Sequence, residues 1–211
     1  MQTTKEVKEV TTNNELEIVG RVVSEELEFS HEKFGENFYI FYVSSKRLSE
    51  TEDVIPIMVS KKICELGNIK KDVQIHIKGS LRSYNEKIGE KSKLILSVFP
   101  KEITFLHEND MEDENWIRLQ GFICTKVDYR ITPLGRKISE FMFAINRPYG
   151  KTDYIPIIMW GKNAELCNCL TVGVELKIKG RIQSRIYQKR ITEDIIEDRT
   201  AYEVSTQEFT I

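Results

Sequence analysis

The chain has 211 residues, a length that fits one large domain or two domains of about a hundred residues each. Hydrophobic residues make up 40% of the chain, which is enough for a globular core and excludes an intrinsically disordered protein. The net charge of −2 hides a contrast, because residues 116–190 hold 14 Lys/Arg against 5 Asp/Glu, whereas residues 1–115 hold 16 against 22.

The first half of the chain predicts a small β-rich domain. Its polar start, residues 1–14, is typical of a frayed arm or a short helix. Apolar residues then alternate with polar ones in stretches that predict five strands, at residues 16–23, 37–43, 53–60, 73–82 and 94–105. A short helix is expected at residues 61–66, between the third and fourth strands, because Gly67 supplies a stop signal.

The second half repeats this order after an acidic stretch, residues 107–115, that predicts a linker. Strands are expected at residues 116–123, 139–146, 153–160, 174–186 and 200–211, and a helix at 161–170 again follows the third strand. Gly20 and Gly79 are 59 residues apart, as are Gly121 and Gly180. We therefore predict an internal repeat, with one domain at residues 1–106 and the other at residues 116–211.

The order of these elements favours one fold. Five strands with a short helix between the third and the fourth are typical of the OB-fold, a Greek-key barrel that binds oligonucleotides or sugars. SH3-like and other small barrels share the strand count but not the helix. The prediction is an all-β protein of two tandem OB-folds.

The fourth strand of the second half has one apolar and one cationic face. Successive side chains point to opposite faces of a strand, so cations at every second position recur about every 6–7 Å, a spacing that can follow a phosphate backbone. A strand edge that is protected by charge would show the same pattern. The candidate phosphate contacts are Lys177, Lys179, Arg181 and Arg185.

Four aromatic residues of the second half have a Lys or Arg close by in the sequence. Bases stack on aromatic rings for about 1–3 kcal/mol each while cations follow the phosphates, and this stacking needs base faces that duplex DNA hides. The combination therefore indicates single-strand binding. The four candidates are Tyr149, Tyr154, Trp160 and Tyr187.

The second half resembles the bacterial single-stranded DNA-binding proteins, a family of OB-folds. The resemblance lies in an ordered set of motifs: Ile117-x-Leu119-x-Gly121, Phe141 to Arg147, Trp160-Gly161-Lys162, Gly180-Arg181-Ile182 and Thr200 to Val204. It implies base stacking by the four aromatic candidates and phosphate contacts by Arg147, Lys162, Arg181 and Arg185. In the first half only Arg82 and Tyr84 keep the pattern, so we expect that the second half binds most of the nucleic acid.

The resemblance also implies partners. Some members of the family join two OB-folds in one chain and dimerise, so a homodimer with four folds is expected. Replication and repair proteins could be partners as well. The family recruits them through an acidic, apolar tip, which we do not expect here, because the sequence stops soon after its last predicted strand.

No motif indicates an enzyme, a metal site or a cofactor. The three histidines are scattered, and the four cysteines lack metal-ligand spacing, so buried and reduced thiols are expected. No apolar run approaches the roughly 20 residues of a membrane span, which favours a cytoplasmic protein. The expected function is binding of single-stranded DNA with little sequence preference, in replication, recombination or repair. The alternatives are a tandem OB-fold scaffold for protein partners and an RNA-binding OB module.

Overall fold

The computed structural model describes residues 12–89, 91–107, 110–190 and 196–211. Residues 1–11, most of the expected N-terminal arm, lie outside the described residues. The first half forms β1 (Asn14–Val22), β2 (Glu28–Lys33), β3 (Glu36–Lys46), β4 (Glu52–Ser60), the 3-10 turn η1 (Leu66–Asn68), β5 (Gln74–Ile88) and β6 (Lys91–Phe105). The second half forms β7 (Glu114–Ile123), β8 (Asp128–Ile131), β9 (Lys137–Asn146), the 3-10 turn η2 (Pro148–Gly150), β10 (Thr152–Trp160), α1 (Gly161–Cys167), β11 (Glu175–Arg190) and β12 (Ile196–Thr210).

Each half closes into a barrel because its first strand pairs on both sides. β1 pairs with β5 and β3, and β7 pairs with β11 and β9. This requires a close approach of backbones at Gly20 and Gly121, where a Cβ atom would lie 2.2 Å from the Ser44 carbonyl oxygen and 2.3 Å from the Ala144 carbonyl oxygen. The barrels are filled by apolar side chains, the largest of which are Phe41 and Phe143. The prediction of two tandem OB-folds is confirmed.

Three details differ from the sequence prediction. The helix is present in the second half, where Ala164 and Cys167 pack into the core, but the first half has only the turn η1, so the helix expected at residues 61–66 was wrong. The first-half stretch is shorter before its glycine and contains the β-branched Ile63, whereas the second half has the strong helix former Ala164. The short strands β2 and β8 were also missed, since their polar residues show little alternation.

The two barrels form one continuous sheet. β1 pairs antiparallel with β7, which gives a central six-stranded sheet in the order β6-β5-β1-β7-β11-β12. Leu16 and Ile117 occupy corresponding positions of the repeat, and they are paired with each other in this sheet. The two halves are therefore related by a local pseudo-twofold axis at this pair.

Residues 108 and 109 of the acidic segment lie outside the described residues, and the described part of this segment contacts the first barrel. The Gln74 side-chain amide donates to the Met111 carbonyl oxygen at 2.7 Å, and the Lys46 backbone N–H donates to the Asp113 carboxylate at 2.7 Å. Glu114 and Asn115, which were expected in a linker at residues 107–115, lie in β7 because they pair with β1. The domain limits themselves remain a prediction.

Two further predictions, on the cysteines and on membrane-spanning segments, can be compared with the structure. Of the four cysteines, which are all free thiols, only Cys167 is buried and Cys169 is exposed, so the expectation of four buried thiols was wrong. Cys169 lies in the turn that follows the end of α1 at Cys167. Within the described ranges, no helix is long and apolar enough to cross a membrane.

Candidate nucleic-acid interface

Two grooves occur at corresponding positions on the two barrels. The N-terminal groove, of about 630 Å³, is lined on the first barrel by residues that include His31, Lys33, Phe38, Arg82, Tyr84 and Phe99. The C-terminal groove, of about 670 Å³, is lined on the second barrel by residues that include Arg130, Arg136, Trp160, Arg181 and Arg185. The two grooves occupy corresponding positions in the repeat.

Each groove is completed by a loop of the opposite barrel. Arg147 and Lys151, which precede β10 in the second half, line the N-terminal groove. Arg47 and Thr51, which precede β4 in the first half, line the C-terminal groove. The sequence prediction, which assigned binding mainly to the second half, did not include this exchange of loops.

A buried carboxylate holds the second-half loop in place. Asp153 is fully buried and accepts hydrogen bonds from Arg147 Nε at 2.6 Å and from the backbone N–H of Ser83 at 2.6 Å. Arg82 Nη1 donates to the same carboxylate at 3.0 Å. Ser83 and Arg82 belong to the first barrel, so Asp153 ties the two barrels together. Arg82 and Arg147, two of the predicted nucleic-acid-binding residues, are therefore engaged in this ion-pair cluster.

The pseudo-twofold repeats this arrangement at Asp53. This residue is also fully buried and accepts hydrogen bonds from Arg47 Nε at 2.8 Å and Arg47 Nη2 at 2.6 Å. The backbone N–H of Ser184, in the second barrel, donates to Asp53 at 2.9 Å. The two loops are thus fixed by the same chemistry on opposite barrels.

Strand β10 connects the two grooves. Thr152, at its start, lines the N-terminal groove, and Ile158 and Trp160, near its end, line the C-terminal groove. The eight residue steps between Thr152 and Trp160 span about 26 Å at the usual rise of a strand. Tyr154 lies between them on the same side as Trp160, with 44% and 37% of their surfaces exposed, because the odd-numbered residues of β10 face the core.

The remaining predicted aromatic residues lie near the grooves. Tyr149 is fully exposed in the loop that reaches the N-terminal groove, where its backbone is left-handed with φ of 67°. Tyr187 is 37% exposed, and the Arg185 guanidinium lies 5.9 Å from the centre of its ring. Tyr84 lines the N-terminal groove, where burial raises the pKa of its hydroxyl.

The sequence prediction missed aromatic residues of the first barrel. His31 is stacked on Phe38 in the N-terminal groove, with ring centres 5.0 Å apart and an angle of 9° between the planes. Phe34 is almost fully exposed at the tip of the β2–β3 hairpin, and the Lys33 ammonium lies 5.6 Å from the centre of its ring. The neighbouring lysine and phenylalanine in the sequence were a usable signal, which was overlooked because β2 was not predicted.

Three predicted cations lie outside both grooves. Lys177 and Lys179 are exposed on the outer side of the central sheet, where Lys179 is paired in register with Arg118 on β7 and Glu208 on β12. Lys162 is exposed on α1 and lines neither groove. The alternation along β11 does not place all its cations together, because Lys177 and Lys179 lie where β11 pairs with β7, whereas Arg181 and Arg185 lie beyond that pairing.

Comparison with known proteins agrees with the second-half motifs. Residues 114–211 match the model of the Single-strand binding protein family. The single-stranded DNA-binding protein of Clostridium tetani is 29% identical over 100 residues, which cover 42% of this chain and 69% of that protein. Single-stranded DNA-binding protein 3 of Clostridium acetobutylicum is 32% identical over 83 residues, which cover 36% of this chain and 58% of that protein. The aligned segments span 48% to 69% of the curated relatives' lengths.

The fold extends this likeness to both halves. The wild-type single-stranded DNA binding protein from Thermus aquaticus superposes with a TM-score of 0.67 at 19% identity, over 93% of this chain and 91% of that one. Fold and grooves together define a tandem OB-fold protein with two cationic, aromatic-lined clefts. The second barrel is similar to the single-strand binding protein family, as the sequence motifs predicted.

Proposed function

We propose that this protein binds single-stranded DNA with little sequence preference, by stacking bases on aromatic side chains and pairing phosphates with Lys and Arg. The observation that carries the proposal is the exposed track of Tyr154 and Trp160 along β10, which joins two cationic grooves. Exposed rings beside cations suit unpaired bases, whose faces are free to stack. The names of the curated relatives support the same ligand.

The charges that line both grooves fit a polyanion. Five arginines and two glutamates line the C-terminal groove, and four Lys/Arg residues and one glutamate line the N-terminal groove. Such contacts bind any sequence, because every nucleotide carries the same phosphate. The binding strength should therefore fall steeply as salt is added.

We assign the following roles within this proposal. Tyr154 and Trp160 are the central stacking residues, Tyr149, Tyr84 and Tyr187 extend the track at its ends, and Arg181 and Arg185 contact phosphates. Arg82 and Arg147 shape the seam between the barrels through Asp153. Lys162, Lys177 and Lys179 would contact only DNA that continues beyond the grooves.

Tryptophan fluorescence tests the proposal. Titration of the protein with poly-dT should quench the emission of Trp160, and added salt should weaken the binding. Trp116 supplies a constant background, since its ring lies under the Arg118 guanidinium at 5.0 Å on the outer side of the sheet. Trp160→Ala should therefore remove most of the quenching and weaken binding by about 1–3 kcal/mol.

Two outcomes of this titration would reject the proposal. The first is an unchanged spectrum at low salt, which would favour the protein scaffold. The second is clearly tighter binding of poly-rU than of poly-dT, which would favour the RNA-binding module.

The biological setting is part of the same proposal. A protein with this ligand would protect single strands in replication, recombination or repair, which in a bacterium takes place in the cytoplasm. We also propose a homodimer, in which four barrels would offer a longer path for the strand. Sedimentation of the free protein over a range of concentrations tests the dimer.

A further inference from the structure

One guanidinium that lines the C-terminal groove has a hydrogen-bond donor without an acceptor among the described residues. The Nε atom of Arg181 is buried and has no hydrogen-bond partner within the described part of the chain. Arg181 lines the C-terminal groove, and burial and the nearby Arg47 lower the pKa of its guanidinium. A buried N–H donor without an acceptor is costly, so a ligand that supplies an acceptor would be bound there favourably.

The charges around Arg181 are not balanced. Two carboxylates in this region each have an arginine partner: Arg47 is bound to Asp53, and Arg185 lies 3.9 Å from Glu203. The guanidinium of Arg181 is the third, and among the residues that the structure describes it has no carboxylate of its own. This group of five side chains carries an excess of one positive charge. One phosphodiester would neutralise it, and its oxygens are the acceptors that Arg181 lacks.

The corresponding position in the first barrel differs. The repeat places Ser80 where the second barrel has Arg181, and the extra guanidinium there, Arg82, is satisfied because it donates to Asp153 at 3.0 Å. Each of the two carboxylate clusters has a second guanidinium near it, but within the described residues only the one at Arg181 retains a buried, unpaired donor. The pseudo-twofold symmetry therefore does not hold at Arg181 and its counterpart Ser80.

We propose that Arg181 and Arg47, from opposite barrels, form a single phosphate site that holds one phosphodiester of the bound strand. Arg47 uses Nε and Nη2 on Asp53, and within the described ranges its Nη1 remains available for the phosphate. This proposal rests on the proposed function. It extends that function, because a residue of the first barrel would be needed for DNA binding in the groove of the second barrel. Residues 114–211, which match the family model, do not contain Arg47 and so hold only part of the site.

Titration of the full-length protein with oligo-dT of about 30 nucleotides tests the site, since one OB-fold covers about 4–16 nucleotides. Arg181→Ala should weaken binding about tenfold or more. It should also make the plot of log K against log salt shallower by about 0.7, the loss of one phosphate contact on a single strand. Arg181→Lys keeps the charge but loses the Nε donor, so it should restore binding only in part.

The role of Arg47 is tested by Arg47→Lys, which keeps a cation beside Asp53 but loses the planar fork. This change should weaken binding, and the double variant with Arg181→Ala should lose little more than Arg181→Ala alone, because both changes empty the same site. The matched control is Lys71→Ala, which removes one charge from an exposed residue that lines neither groove. Its affinity should stay within about twofold of the unaltered protein, in line with a screened surface charge.

The outcomes separate the two proposals. An unaltered protein that does not bind oligo-dT contradicts the proposed function itself. If Arg181→Ala binds as strongly as Lys71→Ala, the phosphate site is contradicted. If the losses from the Arg47 and Arg181 substitutions are additive, the two residues do not act on the same phosphate. The loss in Arg181→Ala should also vanish on oligo-dT with neutral methylphosphonate linkages, and a loss that persists there would show that Arg181 contacts a base.

Discussion

Asp53 and Asp153 are fully buried carboxylates, and each accepts hydrogen bonds from both barrels. Burial of a charge is costly unless it is paired and hydrogen-bonded, and both aspartates meet this condition. They fix the loops that complete the opposite grooves. The geometry of the interface at the residue scale therefore depends on two side chains that would not themselves touch the nucleic acid.

Asp153→Ala should lower the free energy of unfolding by about 2–4 kcal/mol, because it leaves the partly buried Arg82 and Arg147 without their carboxylate. Urea unfolding followed by circular dichroism measures the loss. Asp128→Ala, at an exposed position of β8, is the control and should change stability by no more than about 0.5 kcal/mol. Equal effects of the two substitutions would show that Asp153 does not tie the barrels together.

Strand β11 shows how an element divides its residues between two surfaces. Lys177 and Lys179 lie in the part of β11 that pairs with β7, on the outer side of the central sheet. Arg181 and Arg185 follow the register shift and line the C-terminal groove. A face that is continuous in sequence is therefore not continuous in space, because the strand curves as it closes the barrel.

Lys179→Glu and Arg181→Glu test this division, since both reverse one charge on the same strand. Arg181→Glu should weaken the binding of poly-dT by a much larger factor than Lys179→Glu, because Arg181 lines the C-terminal groove and Lys179 does not. The measurement is fluorescence titration at several salt concentrations. Comparable losses would mean that the outer side of the sheet, as well as the grooves, carries the bound strand.

The barrel closure depends on glycine at the bend of β7. Gly121→Ala should destabilise the protein by about 1–3 kcal/mol or more, because the added Cβ would collide with the Ala144 carbonyl oxygen, which is backbone and cannot rotate away. Gly67→Ala is the matched control, as no atom lies within 4 Å of the position that its methyl group would take and its φ is not positive. A Gly121→Ala protein as stable as the control would contradict the tight closure.

At the scale of the whole molecule, the folded state retains protons that the unfolded state releases at alkaline pH. Burial raises the pKa of Cys167 from 9.0 to about 11 and, as the main cause, that of Tyr202 from 10.0 to about 12. Between these values the folded protein binds more protons than the unfolded one. Stability contributed by both groups is thus complete below about pH 9 and is lost as the pH rises toward about 12.

The free energy of unfolding should therefore decline across this alkaline range, as measured by urea unfolding at a series of pH values. Tyr202→Phe removes one of the two groups and should flatten the decline above pH 10, where unfolded tyrosine begins to ionise. The same slope in both proteins would show that Tyr202 does not contribute.

The sequence alone determined the two barrels, because hydrophobic alternation, the repeated glycines and the helix after the third strand of the second half are local patterns. It also indicated the aromatic track, since Tyr154 and Trp160 are an even number of residues apart on one strand. It did not indicate the first-half turn at Leu66–Asn68, because the stretch before Gly67 is short and contains the β-branched Ile63. Nor did it reveal the stack of His31 on Phe38, which forms across a hairpin that was not predicted.

Only the tertiary structure decided which residues share a groove. Asp53 binds the backbone of Ser184, and Arg82 binds Asp153, across 131 and 71 residues of chain. These contacts arise because β1 pairs with β7 and brings each loop to the opposite barrel. A sequence pattern describes neighbours along the chain. The partners of a buried charge are instead the groups that the packing of the two barrels brings next to it. Arg82 and Arg147 are therefore held by a carboxylate, whereas the buried Nε of Arg181 has no partner among the residues that the structure describes.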